Sequence, residues 1–61
     1  MKTNRLKELR EGKQLTQAQL GELVGLTHSA VSRHENGSRA LSPHDLEVYA
    51  RALGCKPTDI G

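Results

Sequence analysis

Apolar residues along this 61-residue chain stand singly or in runs of two or three, recurring three or four positions apart among charged and polar neighbours. That spacing is helical. Leu6 and Leu9 predict an amphipathic first helix from about Asn4 to Lys13, with Gly12 loosening its last turn. Thr16 with Gln19 three residues later has the form of a capping box for a second helix. Ala18, Leu20, Leu23 and Val24 supply its apolar side, and Gly25 is placed to end it in a left-handed turn. Thr27 caps a third helix to about Glu35, with Val31 and Ala30 as its apolar anchors, and Asn36-Gly37 closes it. Residues 37–41 read as a loop carrying Ser38 and Arg39.

The fourth helix has the clearest start: Ser42 as cap, Pro43 at the first helical position and Asp45 completing an S-x-x-D box. Leu46, Tyr49, Ala50 and Leu53 then fall at i, i+3, i+4 and i+7, an apolar stripe that Gly54 ends. Pro57 to Ile60 reads as the beginning of a fifth helix where the sequence stops. That leaves two expectations, a very small protein or one domain of a longer one.

Composition narrows the fold to an all-α, compact bundle. Hydrophobic residues make up 34% of the chain and Tyr49 is its sole aromatic, so Leu, Val and Ala must build the core. Such a core suits packed short helices better than a β-sandwich. Net charge is only +2, but its distribution is uneven. Lys2, Arg5, Lys7, Arg10 and Lys13 crowd the start, Arg33 and Arg39 the middle, and Asp45, Glu47 and Asp59 the end. The pattern fits one basic face or a solvated mixed-charge surface. Cys55 stands alone, so no intrachain disulfide forms. Apolar runs reach two or three residues, far short of a signal peptide or membrane span, and a cytoplasmic location is the default expectation.

Thr16 to Gly37 therefore outlines two short helices joined at Gly25. The second carries Thr27, His28, Ser29, Ser32 and Arg33, side chains that add little to a core but reach the edges of base pairs. Here the chain resembles the Cro/repressor-type family of helix-turn-helix domains, also called lambda-repressor-like or XRE-type. The resemblance runs from Leu6 to Ile60 and is most specific in LTQAQLGELVGLTHSAVSRHENG and LSPHDLEVYARALGCKPTDI. Each fragment is weak by itself; in this order and spacing they are a strong signal.

The resemblance implies four to five short helices, a helix-turn-helix at about 17–36, and sequence-specific binding of a double-stranded DNA operator for transcriptional control, in the manner of a repressor. It implies base contacts from Thr27, His28, Ser29, Ser32 and Arg33, with Arg33 able to pair with guanine. It implies phosphate contacts from Gln17, Asn36, Ser38 and Arg39, with Gln17 also bracing His28. Arg10 and Glu35 match a structural ion pair joining the first helix to the end of the recognition helix. Gly21 sits where the two helices cross and only Gly or Ala allows close approach, while Leu20, Leu23 and Val31 fill the angle. A homodimer is implied, either standing in solution or formed only on DNA. An alternative within the same family is an antitoxin that binds a partner toxin as well as its operator.

Blander readings stand beside several of these. Thr27 also suits a pure cap, Ser32 a solvated hydroxyl and Arg33 a surface salt bridge. Lys2, Lys7 and Lys13 suit ordinary solvated charges. His34 departs from the family pattern, which has an apolar residue there; it must be either partly exposed or buried and neutral. His28, His34, His44 and Cys55 show no ligand pairing such as C-x-x-C, so no metal or cofactor is expected. No glycine-rich phosphate loop or nucleophile motif suggests an enzyme.

Overall fold

A computed structural model describes residues 4–61; Lys2 lies outside them. Five helices follow in order: α1 Leu6–Gly12, α2 Gln17–Val24, α3 His28–Asn36, α4 Pro43–Leu53 and α5 Pro57–Ile60. No strand occurs among the described residues.

Local chemistry starts and stops most of these helices where the sequence signals stand. Thr16 accepts the Gln19 N–H at 3.0 Å while the Gln19 side chain accepts the Thr16 N–H at 2.8 Å. Ser42 and Asp45 make the same reciprocal pair at 3.1 and 3.0 Å. Gly25 takes a left-handed φ of 74°, which turns the chain from α2 into α3.

α1 is shorter than the expected span to Lys13. Its left-handed exit falls not on Gly12 but on Gln14, at φ 59°. Leu15 donates its N–H back to the Arg10 carbonyl at 3.2 Å, and that closure sets the conformation two residues beyond the glycine.

The core consists of Leu6, Leu20, Val31, Tyr49, Ala50, Leu53 and Ile60, so every helix contributes to it. α5 is more than a stub: Ile60 is fully buried and its carbonyl accepts the Arg5 N–H at 2.9 Å, joining the two ends of the fold.

Two expectations for α2 are corrected. Leu23 is 60% exposed and does not fill the angle between the helices, and Ala18 is exposed as well. The inward face of this helix is Gln17, Leu20, Gly21 and Val24, at i, i+3, i+4 and i+7. Ala18 and Leu23 lie to either side of that stripe.

Gly21 is more constrained than expected. A Cβ on it would stand 2.5 Å from the Leu26 carbonyl oxygen, so alanine does not fit this crossing. Leu26 in turn donates its N–H to the Gly21 carbonyl at 2.7 Å, which draws the turn onto the helix.

Candidate nucleic-acid interface

α3 has two chemically distinct sides. Val31 and His34 are buried, with Ala30 and Glu35 half-buried beside them. His28, Ser29, Arg33 and Asn36 are exposed and Ser32 is half-buried. The outward positions are i, i+1, i+4, i+5 and i+8, a continuous stripe along one face. The structure therefore brings His28, Ser29, Ser32 and Arg33 together on one polar surface, with Thr27 exposed at its start.

Thr27 acts as a cap, its hydroxyl oxygen accepting the Ala30 N–H at 3.2 Å. The Thr27 hydroxyl proton stays available to a second acceptor. Arg33 makes no ion pair among the described residues, so the surface salt bridge weighed against it does not form. At the other end of the helix, Asn36 Oδ1 accepts the Ser38 N–H at 2.8 Å, and the Arg39 N–H reaches the Arg33 carbonyl at 3.2 Å. The backbone donors of Ser38 and Arg39 are thus engaged in folding the loop. Their side chains, with the Asn36 amide, remain at the surface.

What aims this stripe is a charged cluster beneath it. Arg10 Nε stands 2.6 Å from Glu35 Oε2 and Arg10 Nη2 stands 3.3 Å from Oε1. Arg10 Nη1 also donates to the Leu15 carbonyl at 2.7 Å. One planar guanidinium therefore ties α1, the α1–α2 link and the last turn of α3 together, a geometry that suits arginine's fork of donors. The two side chains are only 10% and 5% exposed, so this pair lies in the molecule rather than on it.

Gln17 joins the same cluster. Its Nε2 donates to Glu35 Oε1 at 3.1 Å. The expected brace to His28 is absent among the described residues: a carboxylate is a stronger acceptor than an imidazole, and it draws the amide to the far end of α3.

His34 settles as buried, at 1% exposure. Its Nδ1 lies 2.7 Å from the Tyr49 hydroxyl, and the two rings meet edge to face with centroids 5.5 Å apart. Nε2 faces Asp45 Oδ2 at 3.8 Å, beyond hydrogen-bonding reach. Burial holds the imidazole below its usual pKa of 6.5; Asp45 opposes this and Arg39 adds to it. The arrangement suits a neutral ring that accepts the Tyr49 proton on Nδ1 and keeps its own proton on Nε2 towards Asp45. Burial likewise pushes the Tyr49 phenol up to about 12, helped by the Asp45 and Glu35 charges.

Sequence reasoning missed Asn4 and the hydroxyl of Tyr49. Asn4 Oδ1 accepts the Leu6 N–H at 3.0 Å, and its Nδ2 donates to the His34 carbonyl at 2.8 Å. An asparagine that accepts the N–H two residues on is a legible local signal; its second bond, across 30 residues, is not. No group of three or more His, Cys, Asp or Glu side chains is placed to hold a metal among the described residues. Cys55 is half-buried and its thiol is pushed up by burial. No helix is long and apolar enough to cross a membrane among the described residues.

A polar stripe on the second of two helices crossing at a glycine, braced from behind by an ion pair, defines a helix-turn-helix domain. The chain belongs to that family: the helix-turn-helix domain model matches residues 3–60. Among solved structures it is similar to the P22 c2 repressor protein, captured in complex with synthetic operator 9T in the presence of Tl+. The TM-score is 0.80 at 30% identity, covering 87% of this chain and 80% of that one. Among curated proteins it is similar to antitoxin PezA of Streptococcus pneumoniae serotype 4, 29% identical over 55 residues. That match covers 90% of this chain but spans about a third of PezA, 35% of its length. The fold is thus the Cro/repressor-type helix-turn-helix fold.

Proposed function

We propose that this chain is a sequence-specific, double-stranded-DNA-binding transcriptional regulator acting as a repressor. The observation that carries it is the exposed polar stripe of α3, held at a fixed angle by the buried Arg10–Glu35 pair. Thr27, His28, Ser29 and Arg33 meet base edges in the major groove, with Ser32 at their margin. Gln17, Asn36, Ser38 and Arg39 meet phosphates. The likeness to a repressor solved on its operator supports this reading.

Two copies on paired half-sites multiply specificity, so the working form is a homodimer, assembled at the latest on DNA. The chain is the DNA-reading unit whether or not further domains accompany it, and it works where the DNA is, in the cytoplasm. It acts by binding rather than by catalysis, without metal or cofactor.

Selection of bound duplexes from a random pool tests the reading and returns the half-site with its symmetry. The logarithm of the binding constant for the selected site should fall linearly with log salt, with a slope of about −0.9 per phosphate neutralised. Equal affinity for selected and random duplexes, or affinity indifferent to salt, overturns it. The PezA likeness supports a second reading, an antitoxin that also holds a partner toxin. Co-purification of a small protein in fixed ratio with the chain from its native host distinguishes that reading from the first.

A further inference from the structure

α1, α2 and α3 enclose a cleft of about 290 Å³ beside the reading face, lined by Lys7, Gln17, Ser32, Glu35 and Asn36. It is open to solvent and far larger than the roughly 30 Å³ of one water, so a phosphate group fits. We propose that this cleft binds one phosphodiester of the DNA backbone and that Lys7 supplies its positive charge. The inference rests on the DNA-binding reading above and adds a residue that reading does not use.

Lys7 and Arg10 stand three apart on one face of α1, but their charges have different fates. Arg10 is turned inward and neutralised by Glu35 at 2.6 Å. Lys7 is exposed and forms no ion pair among the described residues, not even with Glu11 one turn on. Glu35, the one carboxylate lining the cleft, carries the Arg10 guanidinium against it and so does not repel an anion there.

Neutral donors complete the pocket. An amide NH2 has two protons. Gln17 gives one to Glu35 and has a second to offer. Asn36 uses its carbonyl oxygen on Ser38 and keeps both of its amide protons. The site is also held in place: Asn4 accepts the Leu6 N–H and donates to the His34 carbonyl, which fixes the first turn of α1, and Lys7 with it, against the recognition helix.

The test compares wild type, Lys7→Ala, Lys7→Arg and the control Lys13→Ala on the selected duplex and a random duplex across a salt series. The Lys13 ammonium lies on another side, against Gly54 at the end of α4. Lys7→Ala should bind both duplexes about five- to tenfold more weakly at 0.1 M salt and lower the salt slope by about 0.9. Lys7→Arg should keep the slope, Lys13→Ala should leave it unchanged, and all thermal melts should coincide. Neutral methylphosphonates, placed at each phosphate of the selected duplex in turn, should reveal one position that weakens wild type several-fold more than it weakens Lys7→Ala. A Lys7→Ala slope equal to wild type, or the lack of such a position, overturns the proposal while leaving DNA binding intact. Failure of wild type to prefer its selected duplex overturns the functional reading itself and this site with it.

Discussion

The Tyr49 hydroxyl and Nδ1 of His34 lie 2.7 Å apart inside the molecule, joining α4 to the concealed side of the recognition helix. A hydrophobic residue at position 34 would pack there without needing a partner. Histidine with tyrosine makes the contact polar, directional and sensitive to protons.

The sign of that sensitivity follows from burial. His34 has a folded pKa below its ordinary 6.5, so the unfolded chain takes up the proton first as pH falls. Stability is fully present above 6.5 and is lost as pH drops from there through the depressed folded value. Asp45, whose carboxyl is held below 3.8 chiefly by the Ser42 backbone N–H, adds a second loss in the more acidic range. The denaturation midpoint should therefore fall between pH 7.5 and 5.5. The double substitution His34→Leu with Tyr49→Phe should flatten that window without touching the acid limb. A wild-type midpoint that is flat over the same range refutes the assignment.

Removing Arg10 tests the brace. Arg10→Met takes away the guanidinium that neutralises a carboxylate only 5% exposed, and loss of one partner of such a pair costs about 3 kcal/mol. Pairing it with Glu35→Leu should recover much of that stability, because the second change removes the charge as well. Urea denaturation of the two variants checks this; a double variant no more stable than Arg10→Met would show that the pair is not what the first substitution disturbs.

Gly21→Ala is a small change with a predictable penalty. Its Cβ would press on the Leu26 carbonyl, a backbone atom that cannot swing aside. Overpacking of this sort costs typically about 1–3 kcal/mol. The same variant should lose affinity for DNA beyond its loss of stability, since any relaxation tilts α3 relative to α2. Wild-type stability in Gly21→Ala would mean the crossing is looser than its contacts imply.

Most of the architecture was legible because it is written locally. Thr16, Ser42 and Pro43 announce helix starts, Gly25 announces the turn, and the Leu46–Leu53 stripe marks the buried side of α4. The polar face of α3 was legible for the same reason, its positions falling on one side of a short helix. What could not be read depends on neighbours distant in sequence. Leu23 looks like a core residue until the helix is rotated onto its partners. The family resemblance sets Gln17 against His28, and only the arrival of Glu35 from the far end of α3 shows where its amide goes. Lys7 is one lysine among several until folding lines a cleft with it.

Gln14 offers a gain rather than a loss. It holds a left-handed φ of 59° on an exposed link, where a side chain costs roughly 1–2 kcal/mol and glycine nothing. Glycine gives back about 0.5–1 kcal/mol through its greater freedom in the unfolded chain. Gln14→Gly should thus raise stability by about 0.5 kcal/mol, seen as a higher melting temperature with unchanged DNA affinity. A lower melting temperature would place the strain elsewhere in that link.

Arg33 and Gln17 should separate reading from anchoring. Arg33 is exposed, makes no ion pair among the described residues and lies on the stripe with His28 and Ser29. Two donors to guanine O6 and N7 discriminate against other bases by about 1–3 kcal/mol. Arg33→Ala should therefore relax preference at one position of the selected site and leave the others sharp. Gln17→Ala should weaken binding to every duplex alike, because phosphates carry no sequence. Repeating the random-pool selection with each variant decides the matter. The proposed division of labour fails if Arg33→Ala returns the wild-type site unchanged, or if Gln17→Ala shifts the sequence selected.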